Sequence, residues 1–512
     1  MKNSNRLIFF FALLKFVIPF LLQDPIYEPH RDELLYLAEA RHMAWGFMEV
    51  PPLLSVFAWL TNILGGGTFW IKFWPSLVGA ITFVVAAKTI RTMGGKSFAI
   101  FLCFLCFIFS AFLRVQFLFQ PNFLEVFFWT MIAFSLVRYV QTEGNGWLYV
   151  FGVSAGLGMM SKYSAAFFVT SVVGGLLVAG PRKIFSNKHF WFASGLGLLI
   201  FLPNFAWQYV RHFPIVYHMK ELQKNQLQYV NPIGFLFDQL AVNGPAMIVW
   251  IMSLIFLLFT KLGRPYRFVG LAYLFLLAIL LIGRGKNYYT IGAYPILFAF
   301  GSFQLERRTT GRKSFVRYIV VAAILLTGYF YVPLMMPFFK PDKLAAYYRT
   351  TKMDKTVFLR WEDLKYHPLP QDFADMLGWK EMAAKAGNAY AMLDSSEKKN
   401  SIIFCDNYGE AGALDYYGRD YGIPEAYSDN ASFLYWIPDS LSFENLVLVT
   451  DDRQEMTHPF IQDFQFAQVV DSVTNPYSRE YGSLIILFKK GNASFQKMFK
   501  EKLAKDQAKV KW

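Results

Sequence analysis

Two adjacent carboxylates, Asp32 and Glu33, lie in "EPHRDELLYLAEARHMAWGFMEVPPLL" (residues 28–54), a charged stretch that closely follows the first apolar segment of the chain. A carboxylate can accept a proton from a hydroxyl group while that hydroxyl attacks a substrate, so these acids suit general base chemistry. Alternatively, both are solvated charges at the start of a helix, where the helix dipole favours carboxylates. Ionisable groups held at membrane depth usually mark function, which favours the first interpretation.

A third acid, Glu125, lies in "FLFQPNFLEVFFW" (residues 117–129), near the start of an apolar segment and close to Asn122. A charge there is costly unless it is paired or faces a polar cavity. The alternative is a side chain that reaches back to the membrane surface, for which Glu is short. We therefore predict that Glu125 faces a cavity.

Three cations occupy very short turns of the chain: Lys162 in "MMSKYSAAFF", and Arg284 and Lys286 in "LIGRGKNYYTIGAYP". They could simply extend to the membrane surface from helix ends. A bound anion would also explain them, and Gly283 and Gly285 would let backbone amides approach that anion closely. The acids and cations together predict a cavity with a base and an anion clamp, open to lipid. Such a cavity suits chemistry on an amphiphile with a phosphate headgroup.

The elements that must position these groups are membrane spans. Of the 512 residues, 55% are hydrophobic and only 17% are charged, whereas soluble globular chains carry about 25% charged residues. The first apolar segment follows a basic start and precedes no small-residue cleavage site, so we interpret it as an uncleaved transmembrane helix. Eleven segments are long enough to cross a bilayer, at residues 7–23, 68–90, 97–114, 122–141, 147–161, 163–180, 190–209, 244–260, 267–283, 288–304 and 317–337.

Basic residues in the connecting turns orient these spans. With the N-terminus inside, four of the five inner turns carry three to five Lys or Arg each, as the positive-inside rule requires. These residues account for most of the net charge of +14, so nucleic acid binding is not needed to explain it. The outer face then holds residues 24–67, 114–121, 161–162, 210–243, 284–287 and everything after 338.

The outer parts are predicted to have their own structure. The segment 30–64 has the pattern of two interfacial helices separated by a Pro-Pro break. After residue 340 no further spanning segment occurs; "SIIFC", "NLVLVT" and "GSLIILFKK" have the pattern of strands, and "YGEAGALDYYG" that of a turn and helix. We predict a transmembrane unit at 1–338, with its acids in the outer loop 24–67, and an extracytoplasmic α/β domain at 339–512.

Metal, disulfide and nucleotide chemistry are not indicated. Cys103, Cys106 and Cys405 have neither a disulfide framework nor metal-ligand spacing, and His30 and His42 are too far apart in sequence for a ligand pair. A Gly-rich phosphate loop after a strand is absent from the sequence. We predict no metal and no cofactor.

Several motifs, in order along nearly the whole chain, resemble those of one family. They are "RDELLYL" with "GFMEVPPL", "SKYSA", "LPNFAWQY", "GRGKNYYTIGAYP" and "DNYGEAGALDYYG". The chain is thereby identified as similar to the GT-C glycosyltransferases of the dolichyl-phosphate-mannose protein mannosyltransferase type (family 39), which include the bacterial aminoarabinose lipid A transferase. The resemblance implies a polytopic α-helical membrane protein with interfacial outer helices, a C-terminal α/β extracytoplasmic domain and about eleven to thirteen transmembrane helices.

The same resemblance implies a function and residue roles. The function is transfer of a sugar, with inversion, from a polyprenyl-phosphate-linked donor to a lipid, glycan or protein acceptor outside a bacterial inner membrane. The C-terminal domain would lie outside and the N-terminus in the cytoplasm. Many members have "PD" where this chain has "QPNFLE". Either Glu125 takes over the work of that carboxylate, or this subgroup positions its acceptors differently. A transporter or flippase of lipid-linked sugars is the alternative.

The resulting site prediction has three groups. The expected catalytic acids are Asp32, as the base, with Glu33 and Glu125; the donor phosphate is expected to contact Lys162 and Arg284 or Lys286. The predicted substrate-binding residues are Arg31, Tyr36, Asn122, Tyr163, Tyr288 and Tyr289.

Overall fold

The structure, a computed structural model, describes residues 2–225, 227–438 and 441–510. The first two thirds of the chain are helical. The helices are α1 (Lys2–Leu21), α2 (Arg31–Glu39), α3 (Leu53–Ile63), α4 (Thr68–Thr92), α5 (Ser97–Ile108), α6 (Phe112–Val115), α7 (Pro121–Thr142), α8 (Gly146–Ser161), α9 (Ala165–Ala179), α10 (Lys188–Val210), α11 (Pro214–Asn225), α12 (Pro232–Asn243), α13 (Met247–Phe259), α14 (Arg267–Ile282), α15 (Tyr294–Arg308) and α16 (Phe315–Met335).

A helix lies in each of the eleven segments predicted to span the membrane. Within the described residues, six helical stretches are long and apolar enough to cross a bilayer by length and composition. The protein is therefore a multi-pass membrane protein. These six stretches are Thr68–Thr92, Pro121–Thr142, Lys188–Val210, Pro232–Phe259, Arg264–Ile282 and Gly311–Met335.

The predicted outer segment 210–243 differs from the structure. Its second half is helix α12, which continues through a short 3-10 turn into α13 and forms one apolar stretch with it. Local sequence explains the early start. The Asn231 side chain accepts a hydrogen bond from the Ile233 amide at 2.9 Å, and Pro232 occupies the first helical position, where its missing N–H costs nothing.

The C-terminal part contains a sheet with helices on both faces. Its helices are α17 (Pro341–Thr350), α18 (Gln371–Ala374), α19 (Trp379–Ala391), α20 (Ser395–Lys399), α21 (Tyr408–Tyr417) and α22 (Ala493–Lys509). Its strands are β1 (Ser401–Cys405), β2 (Ala426–Tyr427), β3 (Asn445–Thr450), β4 (Phe464–Ser472) and β5 (Leu484–Gly491). The predicted strands correspond to β1, β3 and β5, and the predicted helix to α21. The predicted boundary between residues 338 and 339 falls between α16 and α17.

The strand order is β2-β1-β3-β5-β4, with β1 parallel to β2 and β3, and β5 antiparallel to β3 and β4. Alternate residues of a strand point to opposite faces, and both faces are covered here, so β1 and β3 are apolar almost throughout. One face, including Ile402 and Leu446, packs against α22. The other, including Ile403 and Val447, packs with α19, α21 and α2 in one core.

Helix α2 was predicted to lie along the membrane interface, but in the structure other parts of the protein surround it. All residues from Glu33 to Glu39 are buried, and α21 packs directly on α2. The charge pattern of α2 had predicted a helix at the membrane interface. In the structure, its charged positions contact polar groups of the C-terminal part instead. The backbone amide of Arg31, for example, donates to the Asp375 carbonyl at 3.0 Å.

Candidate active site

The start of α2 fixes the position of Asp32. His30 is the N-cap residue: its Nδ1 accepts a hydrogen bond from the Asp32 amide at 3.1 Å, and its own amide donates to Glu33 Oε2 at 2.8 Å. This reciprocal capping box satisfies amides that the helix itself cannot pair. Asp32 thus lies in the first turn of a well-capped helix, where the dipole favours its negative charge.

Glu33 points the other way, into the protein. Lys72 Nζ lies 2.6 Å from Glu33 Oε1 and 2.7 Å from Oε2, and the Phe119 amide donates to Oε1 at 2.6 Å. Glu33 is fully buried and Lys72 is 1% exposed. With both oxygens occupied and no access to solvent, Glu33 has the environment of a structural ion pair. Lys72 was not predicted, although a lysine within "WIKFW" of a spanning segment is itself a signal that a buried acid pairs with it.

Asp32, in contrast, is only partly buried and faces two neutral donors. Gln120 Nε2 donates to Asp32 Oδ2 at 2.9 Å, and the Tyr408 hydroxyl donates to Oδ1 at 2.8 Å. Gln120 precedes α7, and Tyr408 is the first residue of α21. Neither residue was predicted. Each carboxylate oxygen keeps a lone pair for a further partner, because a carboxylate has about four acceptor positions.

The first turn of α7 links Asp32 to the second acid. Asn122 and Glu125 are three residues apart, so they share a helix face, and Lys162 bridges them. Lys162 Nζ donates to Asn122 Oδ1 at 2.7 Å and lies 2.8 Å from Glu125 Oε2. Ser164 Oγ donates to the other oxygen of Glu125, and Asn122 Nδ2 donates to Gln120 Oε1 at 3.3 Å. Glu125 is fully buried and both of its oxygens have partners within the protein, so its role facing a cavity stays a prediction.

Lys162 and Lys286 approach each other across one tyrosine. The ring centre of Tyr288 lies 5.4 Å from Lys162 Nζ and 5.8 Å from Lys286 Nζ, and Tyr289 lies 5.1 Å from Lys162 Nζ. Burial lowers the pKa of Lys286, and the Lys162 ammonium lowers it further, while Glu362 and Asp32 oppose this effect. The structure therefore brings two ammonium groups to the same tyrosine ring. Each has a carboxylate partner: Glu125 lies 2.8 Å from Lys162, and Glu362 lies 4.0 Å from Lys286.

Arg284 does not join this group. Its backbone is left-handed, with φ of 50°, its side chain is exposed, and it donates to the Gln228 carbonyl at 3.1 Å. Of the two cations predicted as alternatives for the phosphate contact, the structure places Lys286 beside Lys162 and Arg284 outside.

A cavity opens next to Lys286. Its volume is about 290 Å³, close to the lower end of the range for small-molecule sites. Its wall carries an ammonium, a carboxylate and two amides, which can hydrogen-bond a polar ligand. The lining residues are Tyr229, Val230, Asn231, Gly234, Phe235, Asp238, Lys286 and Asn287.

The remaining predicted substrate-binding residues have partners within the protein. The Arg31 guanidinium lies 4.6 Å from the ring centre of Tyr408. Tyr36 is 8% exposed and belongs to the core shared by α2 and the sheet. The Tyr163 hydroxyl donates to Asn204 Oδ1 at 3.1 Å and accepts from Gln208 at 2.8 Å, which ties it to α10.

His30, Asp372 and Asp375 form a cluster whose potential ligand atoms lie within 4.8 Å of one another. His30 Nδ1 accepts the Asp32 amide proton, so the neutral ring carries its own proton on Nε2, which lies 3.8 Å from each aspartate. Arg479 also pairs with Asp375 at 3.2 Å. At 3.8 Å Nε2 makes no hydrogen bond, but a protonated Nε2 and a paired carboxylate favour a cluster of ionic contacts over a metal site.

Comparisons with known proteins agree with this architecture. Residues 49–207 match the family described as dolichyl-phosphate-mannose-protein mannosyltransferase. A curated relative, the lipid A galacturonosyltransferase RgtD of Rhizobium johnstonii, is 24% identical over 225 residues, which cover 42% of this chain and 46% of that relative. The chain therefore aligns with less than half the length of that curated relative.

Solved structures extend the likeness to most of the chain. ArnT from Cupriavidus metallidurans, in a crystal structure bound to undecaprenyl phosphate, has a TM-score of 0.63 and 12% identity, over 95% of this chain and 98% of that one. Its apo structure gives 0.62 and 14% over the same shares. These likenesses show the fold. The chain therefore has the fold of ArnT, and residues 49–207 also match the protein mannosyltransferase family.

Proposed function

We propose that the protein is an integral membrane glycosyltransferase. It transfers a sugar from a polyprenyl-phosphate-linked donor to a hydroxyl group of a lipid, glycan or protein acceptor, with inversion at the anomeric carbon. The relatives support this proposal, since one is named a lipid A galacturonosyltransferase and the ArnT structure is bound to undecaprenyl phosphate.

The observation that carries the proposal is the convergence of Asp32, Lys162 and Lys286. The three come from distant parts of the chain. Hydrogen bonds through Gln120 and Asn122 link Asp32 to Lys162, and the ammonium groups of Lys162 and Lys286 lie 5.4 Å and 5.8 Å from the Tyr288 ring centre. Burial disfavours the Lys286 ammonium, whose carboxylate partner Glu362 lies 4.0 Å away, and a bound phosphate would supply further compensation. A carboxylate next to a phosphate site is what a base-catalysed displacement of phosphate requires.

The step itself needs no protein nucleophile. The acceptor oxygen attacks the anomeric carbon while its proton passes to Asp32, and the bond from that carbon to the phosphate oxygen breaks with its electron pair on the phosphate. The products are the glycosylated acceptor and polyprenyl phosphate. The two lysines stabilise the charge that develops on the leaving phosphate, and a single displacement inverts the anomeric centre.

The proposed site lies on the outer face of a bacterial inner membrane. It is built from the start of α7, the turn between α8 and α9, and the turn after α14. The basic residues lie at the other ends of these helices, for instance Arg182 and Lys183 after α9 and Arg264 before α14. By the positive-inside rule those ends are cytoplasmic, which puts the C-terminal domain outside. The transporter alternative finds no support in these relatives.

Reconstitution tests the proposal directly. The purified chain in liposomes is given a panel of polyprenyl-phosphate hexoses and pentoses with candidate acceptors, and release of polyprenyl phosphate and the anomeric configuration of the product are measured. We expect release that depends on the acceptor, with inverted product. Passage of intact donor across the bilayer without release would overturn the proposal and indicate a transporter. Mass spectrometry of surface lipids, glycans and exported proteins from cells with and without the chain identifies the acceptor.

A further inference from the structure

Among the residues that the structure describes, the Asp32 side chain receives two hydrogen bonds, from widely separated parts of the sequence. Gln120, which bonds to Oδ2, belongs to the membrane part, whereas Tyr408, which bonds to Oδ1, belongs to the C-terminal domain. Two donors on two different oxygens fix the plane of a carboxylate, whereas one donor leaves it free to rotate. The C-terminal domain therefore touches the proposed base itself and not only its surroundings.

The sequence around Tyr408 holds its hydroxyl in that place. Asn407 caps α21 by accepting hydrogen bonds from the amides of Gly409 at 2.9 Å and Glu410 at 3.1 Å, and Glu410 accepts in return from the Asn407 amide at 3.2 Å. This capping box fixes the first turn of the helix. The Tyr408 ring is held as well, because the Arg31 guanidinium covers it at 4.6 Å.

Two glycines let α21 lie close against α2. A Cβ atom on Gly409 would come 2.5 Å from Arg31 Cγ, and one on Gly412 would come 3.0 Å from the Leu34 backbone. A larger residue at Gly412 would press on the α2 backbone, and one at Gly409 would displace the Arg31 side chain that covers Tyr408. The spacing in "NYGEAGALDYYG" is thus explained: a cap, the tyrosine, and two glycines on the face that contacts α2.

The Tyr408 hydroxyl is suited to donate a hydrogen bond and not to act as an acid or base. Burial raises its pKa well above the ordinary value, and the neighbouring Asp32 charge raises it further, so its hydroxyl keeps its proton at physiological pH. A donor to a carboxylate stabilises the charged form and fixes the direction in which the free lone pairs point.

We propose that Tyr408 is a positioning residue for Asp32, so that the C-terminal domain completes the active site. This inference rests on the proposed function for its kinetic consequences. With Tyr408 in place, the plane of the Asp32 carboxylate is fixed and its free lone pairs face the incoming acceptor hydroxyl. Without it, the carboxylate rotates about its last bond, and misplacement of a base by about 1 Å can cost about 100-fold in rate.

The test compares Tyr408→Phe with Tyr416→Phe. The Tyr416 hydroxyl, on the same helix, donates to the Gly66 carbonyl at 2.7 Å, so its loss also removes one hydrogen bond between the C-terminal domain and the first outer loop. It does not touch Asp32. We expect Tyr408→Phe to lower kcat by about 10- to 100-fold, the effect of losing a hydrogen bond to a charged group, with the donor KM little changed. The acidic limb of its pH profile should move to higher pH, and Tyr416→Phe should match the wild type in all three quantities.

A second measurement needs no turnover. Infrared difference spectra over a pH titration, with Asp32 assigned by the band lost in Asp32→Asn, report protonation of that carboxylate. In Tyr408→Phe the transition should move to higher pH, and in Tyr416→Phe it should stay. An unmoved transition in Tyr408→Phe, or an equal move in both variants, overturns the positioning role. Absence of transfer by the wild-type chain, with the transition moved as expected, would instead overturn only the proposed function.

Discussion

Lys72 Nζ lies between the two oxygens of Glu33, 2.6 Å from one and 2.7 Å from the other, in the interior of the protein. Removing one partner of such a pair leaves a buried charge without compensation and costs about 3–5 kcal/mol. We expect Lys72→Met to lower the free energy of unfolding by about that amount, measured by denaturant titration in detergent. Lys88→Met, on an exposed position of the same helix, is the control. Equal stability of the two variants would contradict a structural pair.

Asp32→Asn should fold and insert normally but transfer no sugar. The amide keeps the size of the side chain but cannot accept the acceptor proton, and loss of a general base lowers the rate by about 100- to 10,000-fold. Release of polyprenyl phosphate by the reconstituted variant measures the effect. Asp420→Asn, at an exposed position of the C-terminal domain, serves as control. Turnover by Asp32→Asn close to that of the control would remove Asp32 as the base.

The cations of the site can be ranked by substitution. Lys286→Met should lower kcat/KM for the donor by about 100-fold, because a charge on the leaving phosphate loses its stabilisation. Lys162→Arg keeps the charge and should be milder than Lys162→Met, which also strands Glu125. Arg284→Met should change donor use by less than about twofold, since exposed charges contribute little. A larger loss in Arg284→Met than in Lys286→Met would reverse the assignment of the phosphate contact.

The lowered pKa of Lys286 predicts opposite effects of pH on donor binding and on stability. The ammonium must be charged to bind phosphate, so the donor KM should rise once pH exceeds the pKa of Lys286, which lies below the ordinary 10.5. Between that pKa and 10.5 the unfolded chain binds more protons at this group than the folded chain does, so its contribution to the free energy of unfolding rises with pH. Parallel measurements of donor KM and unfolding midpoint test both signs.

Lys286→Arg provides the control, because a guanidinium keeps its charge throughout this range. It should lose the alkaline rise in donor KM. The same alkaline rise in Lys286→Arg would assign the effect to another group.

Sequence reasoning located the helices and the charged ends of the site because those signals are local. Apolar length predicted the spans, and the cost of an unpaired charge in an apolar segment singled out Glu125. Strands β1 and β3 were recognisable because both of their faces are buried. Strand β4 was missed, since it is an edge strand with several exposed residues, and β2 has only two residues.

The partners of the acids could not be predicted in the same way. Glu33 and Asp32 are neighbours in sequence, yet one is paired with Lys72 in the interior and the other is held by Gln120 and Tyr408. Which way each side chain points depends on the helix start at His30 and on contacts between remote segments. The sequence therefore indicated a pair of acids, but only the packing shows that Asp32 and Glu33 have different environments.

The contact between Tyr408 and Asp32 also sets an order of events in the life of the chain. Tyr408 follows Asp32 by 376 residues, so the ribosome has made every spanning helix before it makes the second donor to the carboxylate. A nascent chain halted after α16 would lack the Tyr408 donor to Asp32. The site is therefore complete only after the last third of the polypeptide has been synthesised and has docked. Until then, any substrate that reaches the membrane part meets an incomplete active site.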